Sequence, residues 1–387
     1  MQLKDIAHYV NDKINVSSLK TSEYITTDNM LSNRGGIVDC ESLPKANKVT
    51  KYEVGDVLVS NIRPYFKKIW YATRISGCSN DVIVFRTNGE ETDSKYLYYL
   101  LSQDSFFDYM MASSNGTKMP RGNKKTITDF LIPEFDLEMQ KRIAEILSAY
   151  DNLIENNQKQ IKLLEEAAQR LYKEWFVDLR FPGYEKTKIV DGVPEGWTER
   201  CVSDFGEVIT GKTPSTSKTE YYGGDIPFVT IPDMHGKVFP LKTEKSLTKI
   251  GADTQKGKYL PKNTVIVSCI ATVGLVNIAT EVCQTNQQIN SVVLNEEKNL
   301  YFFYESMKRI KSLLDGVGSN GATMTNVNKT KFSNVKVLYP TEELVIEYYD
   351  FCLPIFEKIL TLSKAAQDAK QARDRLLPKL MNGELEV

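Results

Sequence analysis

The sequence predicts a mixed α/β protein in which two globular domains alternate with two long helices, paired antiparallel as a coiled coil, on a frame with an internal pseudo-two-fold repeat. Three observations carry that prediction. Apolar residues recur at alternating spacings of three and four from residue 137 to residue 176. A second run with the same period occupies residues 342–381. Ahead of each run the chain passes through a similar succession of strand, polar loop and strand, so the order globule, helix, globule, helix is written into one polypeptide of 387 residues.

Residues 1–136 read as the first domain. Val54-Gly55-Asp56-Val57-Leu58-Val59-Ser60 and Val82-Ile83-Val84-Phe85 are short strands, and residues 95–111 are aromatic-rich and periodic enough for one helix. A polar loop over residues 113–122 follows, then a short strand at Phe130-Leu131-Ile132-Pro133. The first long helix, residues 137–177, has the seam Ile143, Leu147, Tyr150, Ile154, Asn157, Ile161, Leu164, Ala168, Leu171 and Trp175. Neither Pro nor Gly interrupts it, Asp136 is placed to cap it, and Phe181-Pro182-Gly183 follows its stop. At 1.5 Å per residue such a helix is roughly 60 Å long, too long for one small core, so it requires a partner helix. Residues 178–196, with Pro182, Gly183, Gly192, Pro194 and Gly196, read as a linker.

The second domain, residues 197–341, repeats the order. Asn263-Thr264-Val265-Ile266-Val267-Ser268 matches the strand ending at Ser60 at an offset of 208, with Asn263 in the place of Gly55. Cys283-Gln284-Thr285-Asn286-Gln287-Gln288 precedes a strand as Cys78-Ser79-Asn80-Asp81 does, and residues 319–324 stand where residues 115–119 stood. Val337-Leu338-Tyr339-Pro340 leads into the second long helix, residues 342–381, whose seam includes Cys352, Ile355, Ile359, Leu362, Ala369, Leu376 and Leu380. Thr341 is its expected cap, and Pro354 is expected to kink or delay it. Packing between the helices is expected at Ile143, Leu147, Ile154, Asn157, Ile161 and Leu164 on the first, and at Ile359, Leu362 and Leu376 on the second. Asn157 would fix the register at a cost in stability. Residues 382–387 are a tail.

Lys and Arg number 49 against 50 Asp and Glu, so net charge selects no partner, although a local basic face suffices for a nucleic acid. The six Cys show no metal-ligand spacing and only His8 and His235 exist, which argues against a zinc site and for free thiols in a reducing cytoplasm. The opening Met1-Gln2-Leu3-Lys4-Asp5 does not read as a signal peptide, and no apolar run reaches membrane length. The expected protein is soluble and cytoplasmic.

Catalytic signatures are missing as well. There is no histidine cluster and no Gly-x-Ser-x-Gly elbow, no Asn-Pro-Pro-Tyr methyltransferase signature occurs, and Gly211-Lys212-Thr213 lacks the upstream glycines of a phosphate-binding loop. A single-chain DNA methylase or nuclease is one alternative to a binding protein. A coiled-coil scaffold that binds no nucleic acid is another. Basic residues cluster at Arg63, Lys67, Lys68 and Arg74, at Lys118, Arg121, Lys124 and Lys125, along residues 237–262, and at Lys329, Lys331 and Lys336.

Four segments resemble one family: Gly196-Trp197 through Gly211-Lys212-Thr213-Pro214-Ser215 to Gly224-Asp225-Ile226-Pro227; Gln140-Lys141-Arg142-Ile143-Ala144; Leu171-Tyr172-Lys173-Glu174-Trp175-Phe176-Val177-Asp178; and Arg375-Leu376-Leu377-Pro378-Lys379-Leu380-Met381-Asn382-Gly383-Glu384-Leu385. Together, in this order on a duplicated frame, they resemble the DNA specificity subunits of type I restriction-modification systems. The first half departs from the pattern with Val10-Asn11-Asp12-Lys13 near the place of the Gly-Lys-Thr-Pro motif, and the second helix has Leu344-Val345-Ile346-Glu347 where Gln140 would recur. The resemblance implies two target recognition domains, each reading one half of a bipartite, asymmetric site in double-stranded DNA, with the helices as spacers that dock modification subunits. It implies a non-catalytic, nucleoid-associated chain without cofactor or metal. S-adenosylmethionine, ATP and Mg2+ would be used by the partner modification and restriction subunits. In that context the DNA-contact candidates are Arg63, Lys118 and Arg121 in the first half, and Lys212, Thr213, Ser215, Asn320 and Thr323 in the second.

Overall fold

The computed structural model describes residues 1–114, 116, 118–315, 326–385 and 387, which fold as two compact units, Met1–Ile154 with Gln367–Val387, and Glu155–Ala366. Alternation along one central strand organises each unit. In the first, Val57–Ser60 is buried on both faces and sits third in the antiparallel sheet Ala7–Tyr9, Val82–Thr87, Val57–Ser60, Ile69–Tyr71. Val57, Val59, Ile83 and Phe85 point into one apolar cluster, with helices Ser94–Leu101 and Asp104–Ala112; Leu58, Val82 and Val84 point into another, with Tyr52 and Cys78. The second cluster is closed by a smaller sheet of Lys13–Asn15, Lys48–Tyr52 and Ser76–Cys78.

The second unit repeats this plan. Its sheet runs Gly206–Thr210, Ile289–Leu294, Val265–Ser268, Val276–Ile278, all antiparallel. Val265 and Val267 join one cluster while Ile266 joins the opposite one. Register repeats too: Val57 faces Phe85 as Val265 faces Val292. Gly55 and Asn263 hold the same left-handed turn, at φ 93° and 66°, before the two equivalent strands. Asn is the residue other than Gly that accepts this conformation at least cost.

The long helices are Leu137–Phe176 and Glu342–Met381. Asp136 caps the first, its Oδ1 accepting from the Met139 N–H at 2.8 Å. In the first unit, Ile143, Ala144 and Leu147 share an apolar cluster with Leu377, Leu380 and Met381, and Arg373 pairs with Asp151. In the second, Ala168, Tyr172 and Phe176 pack with Val345, Tyr348, Cys352 and Phe356, and the Tyr348 hydroxyl donates to the Ala168 carbonyl at 3.2 Å. The start of one helix thus meets the end of the other in each unit, so the helices pack antiparallel. Ile154, Ile161, Leu164 and Leu376 are half-buried; Asn157, Ile359 and Leu362 are buried, and the Asn157 Nδ2 has no hydrogen-bond partner among the described residues.

Several expectations are corrected. Residues 95–111 form two helices rather than one, because the Ser102 hydroxyl takes the Tyr98 carbonyl at 2.7 Å and Gln103 turns extended to start the next helix. Phe130 to Pro133 makes only an isolated bridge, Leu131 with Gln2. Pro354, which is exposed, does not delay the second long helix, which starts at Glu342 and runs on through it. The segment read as a linker contains a hairpin, Ile189–Val190 with Val193–Pro194, turned by Asp191 and Gly192 at φ 51° and 80°. Residues 78–81 and 283–288 each precede a strand as expected, Val82–Thr87 and Ile289–Leu294, although Cys78 and Cys283 differ in place, Cys78 bridging to Ile25 and Cys283 to Leu260.

Candidate nucleic-acid interface

At one end of each principal sheet, three chain segments are tied together by the same backbone hydrogen bonds. In the first unit the Asn61 N–H donates to the Asp81 carbonyl at 2.8 Å and the Gly122 N–H to the Asn61 carbonyl at 3.2 Å, while Ile62 bridges to Arg121. In the second, the Cys269 N–H donates to the Gln288 carbonyl at 2.9 Å and the Val327 N–H to the Cys269 carbonyl at 2.8 Å, while Ile270 bridges to Asn326. The residue after each bridge is left-handed, Arg63 at φ 51° and Ala271 at φ 65°. A short capped helix follows each junction: Asn123 accepts from the Lys125 N–H and Asn328 from the Lys331 N–H, at 3.0 and 2.9 Å. Burial pushes the Cys269 thiol up to about 11, so it stays protonated as a packing group.

The junction gathers the first-half candidates. Arg63 donates its N–H to the Pro120 carbonyl at 2.8 Å, and the Nη2 of Arg121 lies 3.2 Å from Asp81 Oδ1. Lys118 is exposed just ahead of Pro120. Gly122 is closely packed, since a Cβ there would come 2.9 Å from Asn61 Oδ1 and make the ends of neighbouring side chains shift. Other basic residues of the neighbouring cluster have structural partners. Lys67 pairs with Asp104 at 2.8 Å, Lys68 donates to the Thr27 carbonyl at 2.6 Å, and Arg74 lies over the Trp70 ring.

In the second unit Lys212 and Thr213 reach the junction from the end of the sheet's edge strand. The Lys212 N–H donates to the Thr285 carbonyl at 2.9 Å and the Thr213 hydroxyl to Gln287 Oε1 at 2.6 Å. Gly211 must be glycine, because a Cβ would sit 2.2 Å from the Asn286 carbonyl oxygen. Beneath the loop the Gln255 side chain donates to the Lys212 carbonyl and to Gln284 Oε1, each at 2.7 Å. Ser215 is exposed and its hydroxyl meets that of Ser217 at 2.9 Å. Asn320 and Thr323 lie outside the described residues.

A family model described as the type I restriction modification DNA specificity domain matches residues 1–166 and 194–344 of this chain. The HindI type I restriction enzyme specificity subunit of Haemophilus influenzae is 30% identical, over 99% of this chain and 98% of that one. The chain belongs to this family of specificity subunits. A further relative, the MjaIX type I restriction enzyme specificity subunit of Methanocaldococcus jannaschii, is 28% identical over 76% of this chain and 69% of that one. The fold also matches the crystal structure of a type I restriction-modification S subunit from M. genitalium, with a TM-score of 0.61 at 16% identity, covering 98% of this chain and 95% of that one.

Two features of this specificity subunit went unread in its sequence. One is the set of junction side chains Asp81, Gln287, Gln288 and Asn326, whose signal was their place just before a strand or a capped helix. The other is a repeated turn. Asn29 Oδ1 accepts from the Thr26 N–H at 2.7 Å, and Asp233 Oδ2 accepts from the Thr230 N–H at 2.9 Å and from its hydroxyl at 2.7 Å. Thr26-x-x-Asn29-Met30 and Thr230-x-x-Asp233-Met234 are the legible trace of that repeat. Among the described residues, no group of three or more His, Cys, Asp and Glu side chains is placed to hold a metal ion, and no helix is long and apolar enough to cross a membrane.

Proposed function

We propose that the two units each read one half of a bipartite, asymmetric site in duplex DNA, through domains 1–136 and 197–341, and that helices 137–177 and 342–381 set the gap and dock modification subunits. Residues 178–196 connect the two recognition parts. The junction supports this reading most directly: its backbone hydrogen bonds repeat between units while its exposed and half-buried side chains differ, Arg63, Asp81 and Arg121 in one, Ala271, Gln288 and Asn326 in the other. Folding requires the shared backbone, and a surface that must recognise two different sequences requires the changed side chains. Arg63, Lys118, Arg121, Lys212, Thr213 and Ser215 are DNA contacts in this proposal, with Asn320 and Thr323 carried as sequence candidates.

Chemistry belongs to partners: modification subunits using S-adenosylmethionine, and restriction subunits using ATP and Mg2+, in the cytoplasm at the nucleoid. The test is methylome sequencing of cells carrying the system with and without this gene, together with duplex binding by the assembled complex at several salt concentrations. A bipartite N6-methyladenine motif that vanishes with the gene, and an affinity that falls steeply with salt, are the expected results. An unchanged methylome would refute the proposal.

A further inference from the structure

The two junctions differ in chemical class, and the difference refines the DNA-reading proposal on which this inference rests. The first offers two guanidinium groups, Arg63 and Arg121, the latter held 3.2 Å from the Asp81 carboxylate. The second has no arginine at the corresponding places. It offers carboxamides: Gln287 and Asn326, both exposed, and Gln288, half-buried. A guanidinium has only donors and matches O6 and N7 of guanine, whereas a carboxamide has a donor and an acceptor in one plane and matches N7 and the N6 amino group of adenine.

Gln287 is the best placed of these. Its Oε1 accepts from the Thr213 hydroxyl at 2.6 Å, which orients the amide plane and leaves a second lone pair on Oε1 and both Nε2 hydrogens for a base. The loop that carries it is braced from both sides. Asn286 Nδ2 donates to Gln288 Oε1 at 3.0 Å and Asn286 Oδ1 accepts from the Gln288 N–H at 3.1 Å. The Ile289 N–H returns to the Asn286 carbonyl at 3.2 Å, and the buried Gln255 and Gln284 amides lock the adjoining chain. A side chain so constrained before binding loses little entropy on contact, as selective reading demands.

We infer that Gln287, oriented by Thr213 and flanked by Gln288 and Asn326, reads the major-groove edge of an A·T pair in the half-site bound by the second unit, while Arg121, oriented by Asp81, suits a guanine in the other half-site.

The experiment uses the full chain assembled with its modification subunits and compares wild type, Gln287→Ala and Gln287→Glu. Binding is measured against duplexes bearing each base pair at every half-site position, and methylated motifs are sequenced in cells. Gln287→Ala should reduce the preference for A·T at one position of one half-site by about 5- to 150-fold, the discrimination of one bidentate contact, leaving the other half-site unaltered. Gln287→Glu keeps the acceptor for Thr213 but loses the donor to N7, and should move that position toward cytosine. Unaltered preferences at all positions in both variants, with the complex still binding its site, overturn the inference alone. So does a uniform loss of affinity across sequences, which marks a backbone contact. A wild-type complex with no sequence preference overturns the DNA-reading proposal itself, and the inference with it.

Discussion

Glu305 lies within the helix Leu300–Lys308 in the core of the second unit, 2% exposed, with the Lys308 ammonium 3.5 Å from its Oε1, which has no hydrogen-bond partner among the described residues. Burial pushes its carboxyl up to about 7, and Lys308 only partly opposes this. The groups from the long helices do not help ionisation: Glu165 faces it from the first, and its own carboxyl is raised by burial. Tyr348 and Cys352, from the second long helix, are raised by burial and by Glu305 itself. Because the folded state binds the proton more tightly than the unfolded chain, stability should fall as pH rises from about 4.5 to about 7 and then level off. One pKa unit is about 1.4 kcal/mol, so the total is on the order of 3 kcal/mol. Glu305→Gln should remove most of that slope, leaving a smaller part from Glu165. Urea unfolding midpoints at pH 5 and pH 7.5 check it; a variant with the wild-type pH dependence would show that Glu305 is ionised throughout.

Among the elements, the first domain meets the first long helix partly through its backbone, beside side-chain contacts such as that of the Tyr99 hydroxyl with Asp151. The Gln140 side chain accepts from the Asp93 N–H at 3.0 Å and donates to the Phe135 carbonyl at 2.9 Å, both backbone groups that any sequence supplies. Exchanging residues 1–136 for the corresponding domain of a relative should therefore give a folded chain that reads a new first half-site and keeps the second, with methylome sequencing as the measurement. Altered bases in both halves would show that the domains do not read separately. The same contrast explains what the sequence made legible. Heptad spacing is local, so both long helices are legible in the sequence, the first as 137–177 against Leu137–Phe176 and the second as 342–381, and so is the strand repeat, within which the strands are Val57–Ser60 and Val265–Ser268. The junctions are not local. Asn61, Asp81 and Gly122 meet through backbone hydrogen bonds, which leave no mark on residue type. Arg63 and Arg121 stand out in the sequence by chemical type, and Lys212 and Thr213 by the family resemblance, whereas the neutral amides Gln287, Gln288 and Asn326 resemble any polar loop until their neighbours are known.

For the whole molecule the central issue is the proposal that the helices measure DNA. Each helix passes from one unit into the other: the boundary falls between Ile154 and Glu155 on the first and between Ala366 and Gln367 on the second. Lengthening one helix alone would pit it against its antiparallel partner, so the informative change inserts four residues in both, between Asn157 and Gln158 and between Ala366 and Gln367. Four residues add about one turn, roughly 6 Å at 1.5 Å per residue, and shift the heptad pattern only by a stutter that local unwinding absorbs. Duplex DNA rises about 3.4 Å per base pair, so the preferred spacer should lengthen by roughly one or two pairs. Two added pairs also turn the groove by about a fifth of a revolution, given about 10 pairs per turn. Twisting or bending the DNA must absorb that rotation, which lowers affinity without altering the bases preferred in either half-site. Binding to duplexes that differ only in spacer length, and the methylated motif in cells, read the outcome. If the doubly extended chain keeps the original spacer while both half-sites are still methylated, the helices do not set the gap, and their remaining role is to pack the two units and dock modification subunits.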